Sequence, residues 1–127
     1  MVSKTQIRKS TDLENTDLED EVTARVMVVA DVAEGKEAEF EAAYAQVTAA
    51  VKGTPGHVHD ELLSQQGRPG RYILLSEWES VDAFIAWEDA PIHREITVPM
   101  RPYWAGRVER FIYEVAAGMP RQVATYA

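Results

Sequence analysis

The chain has 127 residues and a mass of 14.2 kDa, a length that favours one domain with one hydrophobic core. Its composition, 46% hydrophobic and 27% charged, is that of a folded globular protein. The net charge of −8 and the pI of about 4.8 argue against nucleic acid as a partner, because the overall field repels polyanions. Cysteine is absent, which excludes disulfides, thiolate catalysis and thiolate-bound metal.

The N-terminal segment, residues 1–22, is predicted to be a disordered acidic tail. It carries three basic and six acidic side chains but few aliphatic ones, so it cannot bury enough apolar surface to offset the entropy of ordering. No apolar run follows its basic residues, so we expect neither a signal peptide nor a membrane span, and we expect a cytoplasmic location. The rest of the chain is predicted to form a folded domain over 23–117 and a C-terminal extension over 118–127.

The folded part begins with a predicted strand and helix. The β-branched run RVMVVADV predicts a strand over 24–33. Apolar residues then recur at i, i+3, i+4, i+7 and i+11 from Phe40 to Val51, which predicts an amphipathic helix over 36–52. The sequence GTPG at 53–56 ends this helix, since glycine accepts the left-handed cap and proline cannot continue a helix.

The second half of the domain has a hairpin, a broken helix and a last strand. HVHDELLS and RYILLSEW alternate like strands and flank a turn rich in glycine and proline. Ser80 is placed to cap the helix that follows, which Pro91 interrupts. Pro99 and Pro102 are expected to end its second piece. The run VERFIYEV predicts a strand over 107–116.

The predicted order of elements, βαββαβ, indicates an α+β, ferredoxin-like fold with a four-stranded antiparallel sheet. Two helices would cover one face of that sheet. In the first strand Val26 and Val28 lie on one side while Met27 and Val29 lie on the other, so both faces are apolar. Because an exposed apolar sheet face is typical of an interface, we expect a homodimer formed sheet against sheet.

The histidines do not predict a metal site. His57 and His59 are two residues apart on a predicted strand, so we expect both to point to one side and Asp60 to point to the other. They lack a third ligand, and His93 lies on another element. The sequence also has no nucleotide-binding fingerprint and no nucleophile motif.

Aromatic residues are concentrated in the stretch from residue 78 to residue 104. One interpretation is a hydrophobic core with a dimer interface, because aromatic residues at helical spacing usually pack in cores. The other is a cavity for a flat, apolar, partly oxygenated molecule, held by arginine or histidine. The residues concerned are Trp78, Phe84, Trp87, His93, Arg94, Met100, Arg101, Tyr103 and Trp104.

Several short motifs resemble the antibiotic biosynthesis monooxygenase family. They are the first strand, GTPGH at 53–57, YILLSEWES at 72–80 with the helix after it, and APIH at 90–93. The resemblance covers about residues 24–116 and implies a dimeric α/β barrel with a hydrophobic cavity in each monomer. It implies cofactor-independent oxygenation of anthrone-type aromatic polyketides, quinol oxygenation or haem degradation, and related ferredoxin-like dimers act as polyketide cyclases.

The residues at a few positions that match the family's motifs favour some of these activities over others. Trp78 matches the tryptophan of the third strand that lines the family's cavity. Leu74 stands where oxygenases of the family often have asparagine, and Phe84 is an aromatic residue without a hydroxyl. Val28 and Glu88 stand where the haem-degrading branch has asparagine and histidine, which disfavours haem degradation.

The leading hypothesis is a cofactor-independent monooxygenase that oxidises the anthrone or phenol of a polycyclic aromatic polyketide to a quinone with molecular oxygen. His59 or His93 would be the general base, because the pKa of imidazole suits proton abstraction near neutral pH. Arg94 or Arg101 would stabilise the resulting phenolate.

Trp78 would complete the catalytic set by stacking on the substrate or donating its indole hydrogen, and Tyr72 would hold a substrate oxygen. The full predicted substrate-binding set is Tyr72, Leu74, Phe84, Trp87, Arg94, Met100, Arg101, Tyr103 and Trp104. Two alternatives remain: a polyketide cyclase or aromatase on the same fold, and a non-catalytic dimer that binds a small ligand.

Overall fold

The computed structural model describes residues 23–119; the predicted tail over 1–22 and the end of the C-terminal extension lie outside them. The strands form one antiparallel sheet in the order β2-β3-β1-β4, with bounds β1 Ala24–Asp31, β2 His57–Ser64, β3 Arg71–Trp78 and β4 Glu109–Glu114. The helices are α1 Glu37–Val51, α2 Val81–Asp89, α3 Pro91–Thr97 and a 3-10 helix Val98–Tyr103. The predicted α+β, ferredoxin-like βαββαβ fold is confirmed.

Local sequence explains where the helices begin and end. Glu37 and Glu39 lie in the first turn of α1, where a negative charge is favourable. At its other end Thr54 donates its hydroxyl to the Val51 carbonyl at 2.7 Å. The Ser80 hydroxyl accepts the Ala83 amide at 3.1 Å and caps α2, as predicted. Among the described residues no helix is long and apolar enough to cross a membrane.

The segment after Pro91 follows the prediction and adds one element to it. Pro91 restarts the helix as the first residue of α3, and this α-helix ends at Thr97, two residues before Pro99. The chain then continues as a 3-10 helix that contains both prolines and ends one residue after Pro102. Pro99 is tolerated in the first turn, where an amide would have no helical acceptor. The chain then pairs with the end of β1 through a bridge between Val32 and Trp104.

The two faces of the sheet have different surroundings. Side chains at even-numbered positions of β1 and β3 face the helices, and Val26 and Trp78 among them are about 1% exposed. Odd-numbered positions face away from the helices, in an area we call the open face. Its apolar side chains are Met27, Val29, Leu63, Ile73, Leu75, Phe111 and Tyr113, of which Leu63, Phe111 and Tyr113 are at least 40% exposed.

The helix-covered side holds two separate core clusters. One lies under α1 and the 3-10 helix and contains Phe40, Val47 and Met100. The other lies under α2 and contains Trp78 and Phe84. Trp87 packs against both clusters, and a cavity lined by residues of both lies between the sheet and the helices.

Gly56 allows α2 to approach the start of β2. Its φ of +83° lies in the left-handed region that favours glycine. A β-carbon at this position would overlap the β-carbon of Ala83 in α2. In addition, the Gly56 carbonyl accepts the Glu79 amide at 2.8 Å just before α2. The close packing of this helix therefore requires a residue without a side chain at position 56.

We expect Gly56→Ala to lower the free energy of unfolding by about 1–3 kcal/mol more than Gly53→Ala, because it adds a steric clash to the same backbone strain. Gly53 is the matched control, since its φ is +93° but nothing lies within 4 Å of an added β-carbon. Urea denaturation of both variants measures the difference. Equal losses would mean that α2 moves aside freely.

Candidate functional site

The candidate site is a cavity of about 350 Å³ between the sheet and the helices, at the lower end of the range for small-molecule sites. Its lining is mostly apolar and comes from both core clusters, including Val26, Val47, Leu74, Trp78, Phe84 and Met100. The segment after α3 adds Arg101, Trp104, Val108 and Arg110. The polar side chains of the lining lie in two groups, one around Asp60 and one around His93.

Asp60 is the centre of the first polar group. Its Oδ1 lies 2.8 Å from Nε2 of His57, and its Oδ2 accepts the Thr48 hydroxyl at 2.5 Å. The His57 ring packs edge-on against Trp78, with 5.0 Å between ring centroids. Both Asp60 and His57 have side chains less than 15% exposed. The carboxylate is therefore held from two sides beneath the cavity.

A β-bulge produces this arrangement and corrects the predicted direction of the histidines. The register of β2 against β3 shifts between His57, which pairs with Trp78, and His59, which pairs with Glu77. The extra residue turns His57 and Asp60 to the helix side and His59 to the open face. The His59 side chain is 49% exposed and lies 3.5 Å from Glu61. His59 therefore lies outside the cavity, contrary to the prediction.

Tyr44 contributes a buried hydroxyl from α1 to the cavity wall. This hydroxyl has no hydrogen-bond partner of regular geometry within residues 23–119. The Thr48 hydroxyl lies close enough to act on the pKa of Tyr44, in the lowering direction, but it donates its hydrogen to Asp60. Burial raises the pKa of Tyr44 to about 12, and the charge of Asp60 adds to the rise. The hydroxyl therefore stays protonated and available as a donor. An unpaired buried donor typically costs about 1–3 kcal/mol.

Three aromatic rings form another part of the cavity wall. Trp78 stacks on Trp87 at 5.6 Å and contacts Phe84 edge-on at 5.5 Å. The indole N–H of Trp78 donates to the Ser76 hydroxyl at 2.9 Å, so the predicted donation to a substrate is replaced by an internal hydrogen bond. In contrast, the buried Nε1 of Trp87 has no hydrogen-bond partner among the described residues. Trp87 is thus the indole whose donor is available to a ligand.

His93 is the titratable base of the second polar group. Its ring contacts Trp87 edge-on with 4.4 Å between centroids. Burial lowers the pKa of His93 below its ordinary value of 6.5, with the positive charge of Arg101 acting in the same direction and Glu88 opposing it. The imidazole is therefore neutral at neutral pH, which is the form that can accept a proton.

Two arginines line the cavity and differ in their partners. Arg110 forms a two-point ion pair with Glu88, at 2.7 and 2.9 Å, which joins β4 to α2. Arg101 donates only to the Thr97 hydroxyl, at 2.8 Å, and makes no ion pair within residues 23–119. Arg101 is therefore the lining cation that can bind an anionic group without breaking an ion pair.

Some of the other predicted site residues line the cavity and some lie outside it. Leu74, Phe84, Trp87, Met100 and Trp104 line the cavity, as His93, Trp78 and Arg101 do. Tyr72, Arg94 and Tyr103 do not.

The three residues outside the cavity have physical reasons for their positions. Tyr72 is buried under α1 and donates its hydroxyl to Glu41 at 2.6 Å. Arg94 is exposed, because its place on α3 turns it away from the sheet. Tyr103 packs against the cluster under α1. Within the described part of the chain no group of three or more metal-ligating residues could hold a metal ion.

With this geometry in place, comparison with known proteins identifies the family. The family model for antibiotic biosynthesis monooxygenase matches residues 23–97. The chain belongs to the antibiotic biosynthesis monooxygenase family.

Two relatives of the chain are much longer proteins. Protein SchA of Streptomyces halstedii is 35% identical over 82 residues, which are 65% of this chain and 22% of that protein. A 42.8 kDa protein in the whiE locus of Streptomyces coelicolor is 37% identical over 76 residues, which are 60% of this chain and 19% of that protein. The chain thus spans about a fifth of the length of these relatives.

Solved structures of the family share the fold. SnoaB of Streptomyces nogalater, described as a cofactor-independent oxygenase, has a TM-score of 0.64 and 22% identity, with 78% of this chain and 99% of SnoaB covered. A Bordetella bronchiseptica protein described as a putative antibiotic biosynthesis monooxygenase has a TM-score of 0.69 and 21% identity, with 76% and 100% covered. At these identities the likeness establishes the fold.

Sequence reasoning missed part of the cavity wall. Tyr44 stands within the apolar stripe of α1, and a phenol in such a stripe is a signal that a hydroxyl enters the interior. Asp60 gave no such signal, because the bulge that turns it inward does not follow from residue spacing. The pairing of Glu88 with Arg110 joins residues 22 positions apart on different elements, so it depends on the completed fold.

We expect NMR titration to give His93 a pKa below 6.5. Glu88→Gln should lower that pKa further, because it removes a negative charge, and Arg101→Gln should raise it, because it removes a positive one. Glu61→Gln, on the open face, is the control and should leave it unchanged. A pKa at or above 6.5, or shifts of the opposite sign, would contradict the assigned surroundings of His93.

Proposed function

We propose that this chain is a cofactor-independent monooxygenase that oxidises a phenolic polycyclic aromatic polyketide, of the anthrone type, to a quinone. The observation that carries the proposal is a neutral, half-buried His93 beside Arg101 at the wall of an apolar cavity. Membership of the antibiotic biosynthesis monooxygenase family supports it. The fold shared with SnoaB, described as a cofactor-independent oxygenase, gives further support.

The proposed reaction begins with proton transfer. The apolar lining, which includes Leu74, Phe84 and Met100, packs against the substrate and places its acidic position near His93. His93 takes the proton, and the positive charge of Arg101 stabilises the anion that forms. The low dielectric of the apolar lining strengthens that attraction relative to water.

Molecular oxygen then accepts the electrons. The substrate anion transfers one electron to oxygen, giving superoxide and a substrate radical, and these combine into a peroxide on the same carbon. His93 returns its proton to the peroxide, which loses water as the C=O bond forms. A CH₂ group and one O₂ thus give one carbonyl and one water, and the substrate supplies all the electrons.

We expect His93→Gln to lower the rate of oxygen uptake with 1,8-dihydroxyanthrone by about 100-fold or more, because a positioned general base contributes about that factor. His59→Gln, on the open face, is the matched control and should retain the wild-type rate. For the wild type, kcat/KM should fall as the pH decreases through the lowered pKa of His93, below 6.5. Oxygen electrode and quinone absorbance measure both.

Other outcomes of the same assay would identify the alternatives. Equal rates in both histidine variants would remove His93 as the base. Turnover of a poly-β-ketone without oxygen uptake, with a product lighter by one water, would indicate a cyclase. Binding of the anthrone without any turnover would indicate a ligand-binding protein.

We also propose that the open face packs against the open face of a second copy, as expected for a dimeric α/β barrel. Support comes from its exposed apolar side chains, with Phe111 stacked on Tyr113 at 6.5 Å and both at least 42% exposed. Apolar patches of this kind mark interfaces in proteins of this size.

We expect the wild-type protein to have the mass of a dimer by light scattering and Phe111→Arg to halve that mass, because it buries an unpaired charge in the interface. Val98→Arg is the control, since Val98 is 50% exposed on the 3-10 helix, away from the open face. A monomeric wild type at micromolar concentration would contradict the proposal.

A further inference from the structure

Two buried hydrogen-bond donors of the cavity have no acceptor among residues 23–119: the Tyr44 hydroxyl and the Trp87 indole N–H. They come from different helices, α1 and α2. The neighbouring polar groups are already paired, because Asp60 accepts from Thr48 and the Trp78 N–H is donated to Ser76. Buried polar groups in folded proteins are nearly always paired, so unpaired donors at a cavity wall point to a ligand.

The chemistry of these donors specifies what the ligand offers. An indole N–H can only donate, so the atom facing Trp87 is an acceptor. The Tyr44 hydroxyl stays protonated and lies within the field of the Asp60 carboxylate. That field repels an anion, so the acceptor at Tyr44 is a neutral oxygen such as a carbonyl.

The surroundings of Trp87 favour a different oxygen. Trp87 contacts His93, which in turn lies in the field of Arg101. A hydroxyl group bound near Trp87 can give its proton to His93. The positive charge of Arg101 then stabilises the oxygen anion that remains. The Trp87 N–H is therefore placed to donate to an oxygen that ionises, as a phenol does.

We propose that Tyr44 and Trp87 are specificity residues, and that each donates a hydrogen bond to a separate oxygen of an aromatic ligand, a carbonyl at Tyr44 and a second oxygen, phenolic or carbonyl, at Trp87. The cavity then selects polycyclic compounds that carry oxygen at two positions over their hydrocarbon counterparts. The assignment rests on the proposed function for the identity of the substrate. It concerns binding, so it is tested by measuring affinities without turnover.

Calorimetric titration with anthraquinone-2-sulfonate and anthracene-2-sulfonate tests the assignment, because the two probes differ in the two carbonyl oxygens and share the sulfonate. We expect the wild type to bind the quinone more tightly. Tyr44→Phe and Trp87→Phe should each reduce the ratio of the two affinities about fivefold to tenfold, the effect of one lost hydrogen bond. The hydrocarbon probe measures any change in cavity shape, so the ratio isolates the donors.

Tyr113→Phe is the matched control, since it removes a hydroxyl from a tyrosine that is 50% exposed on the open face; its affinity ratio should equal that of the wild type. An unchanged ratio in both Tyr44→Phe and Trp87→Phe would overturn the proposal. So would a wild type that binds the two probes equally or binds neither.

Oxygen uptake by the wild type separates this assignment from the proposed function. A ratio that falls in both variants, without oxygen uptake by the wild type, would support the two donors and remove the oxygenase. Oxygen uptake with an unchanged ratio would support the oxygenase and remove the donors.

Discussion

The packing of Trp78 is the interaction on which the site depends. Its ring is 1% exposed and contacts the rings of His57, Phe84 and Trp87, which belong to or adjoin β2 and α2. Its one polar atom is bound by Ser76 two residues earlier on the same strand. The indole is thereby fixed in orientation without help from a ligand. Trp78 therefore forms a fixed part of the cavity wall. The polar atoms of the wall that are open to new hydrogen bonds belong to Trp87 and His93.

The bulge at the start of β2 determines the side of the sheet to which His57, His59 and Asp60 point. With a regular strand, His57 and His59 would share one side and Asp60 would lie on the other. With one extra residue, the carboxylate and His57 point under the helices while His59 points away. The acidic Asp60 group and the basic His93 group thus lie on the helix-covered side. The cavity is therefore polarised, with the negative charge of Asp60 near Tyr44 and the positive charge of Arg101 near His93.

The sequence predicted the fold well because its signals are local. The β-branched run of β1, the helical period of α1 and the Ser80 cap each depend on neighbours within a few residues, and the strand and helix bounds agree to within about two residues. Regular periodicity gives the side-chain directions of Trp78 and Leu74, which both line the cavity. It gives the wrong direction for His59, because the register of β2 shifts between His57 and His59.

Tyr72 and Arg94 illustrate two further limits of sequence reasoning. Tyr72 does share the helix-covered side with Trp78, but its hydroxyl donates a hydrogen bond to Glu41. These two residues are 31 positions apart in the sequence. Arg94 and Arg101 look equivalent in sequence, and only the path of the 3-10 helix decides which of them reaches the cavity. Pairings of this kind depend on tertiary distance, which residue spacing does not encode.

The region matched by the family model ends at residue 97, whereas Met100, Arg101, Trp104 and Arg110 still line the cavity. The cavity is therefore built by the matched region together with the segment that follows it. That segment also packs the core, since Met100 is 4% exposed and Tyr103 and Trp104 pack against the cluster under α1. A substitution there changes the shape of the cavity and the packing of the core at the same time.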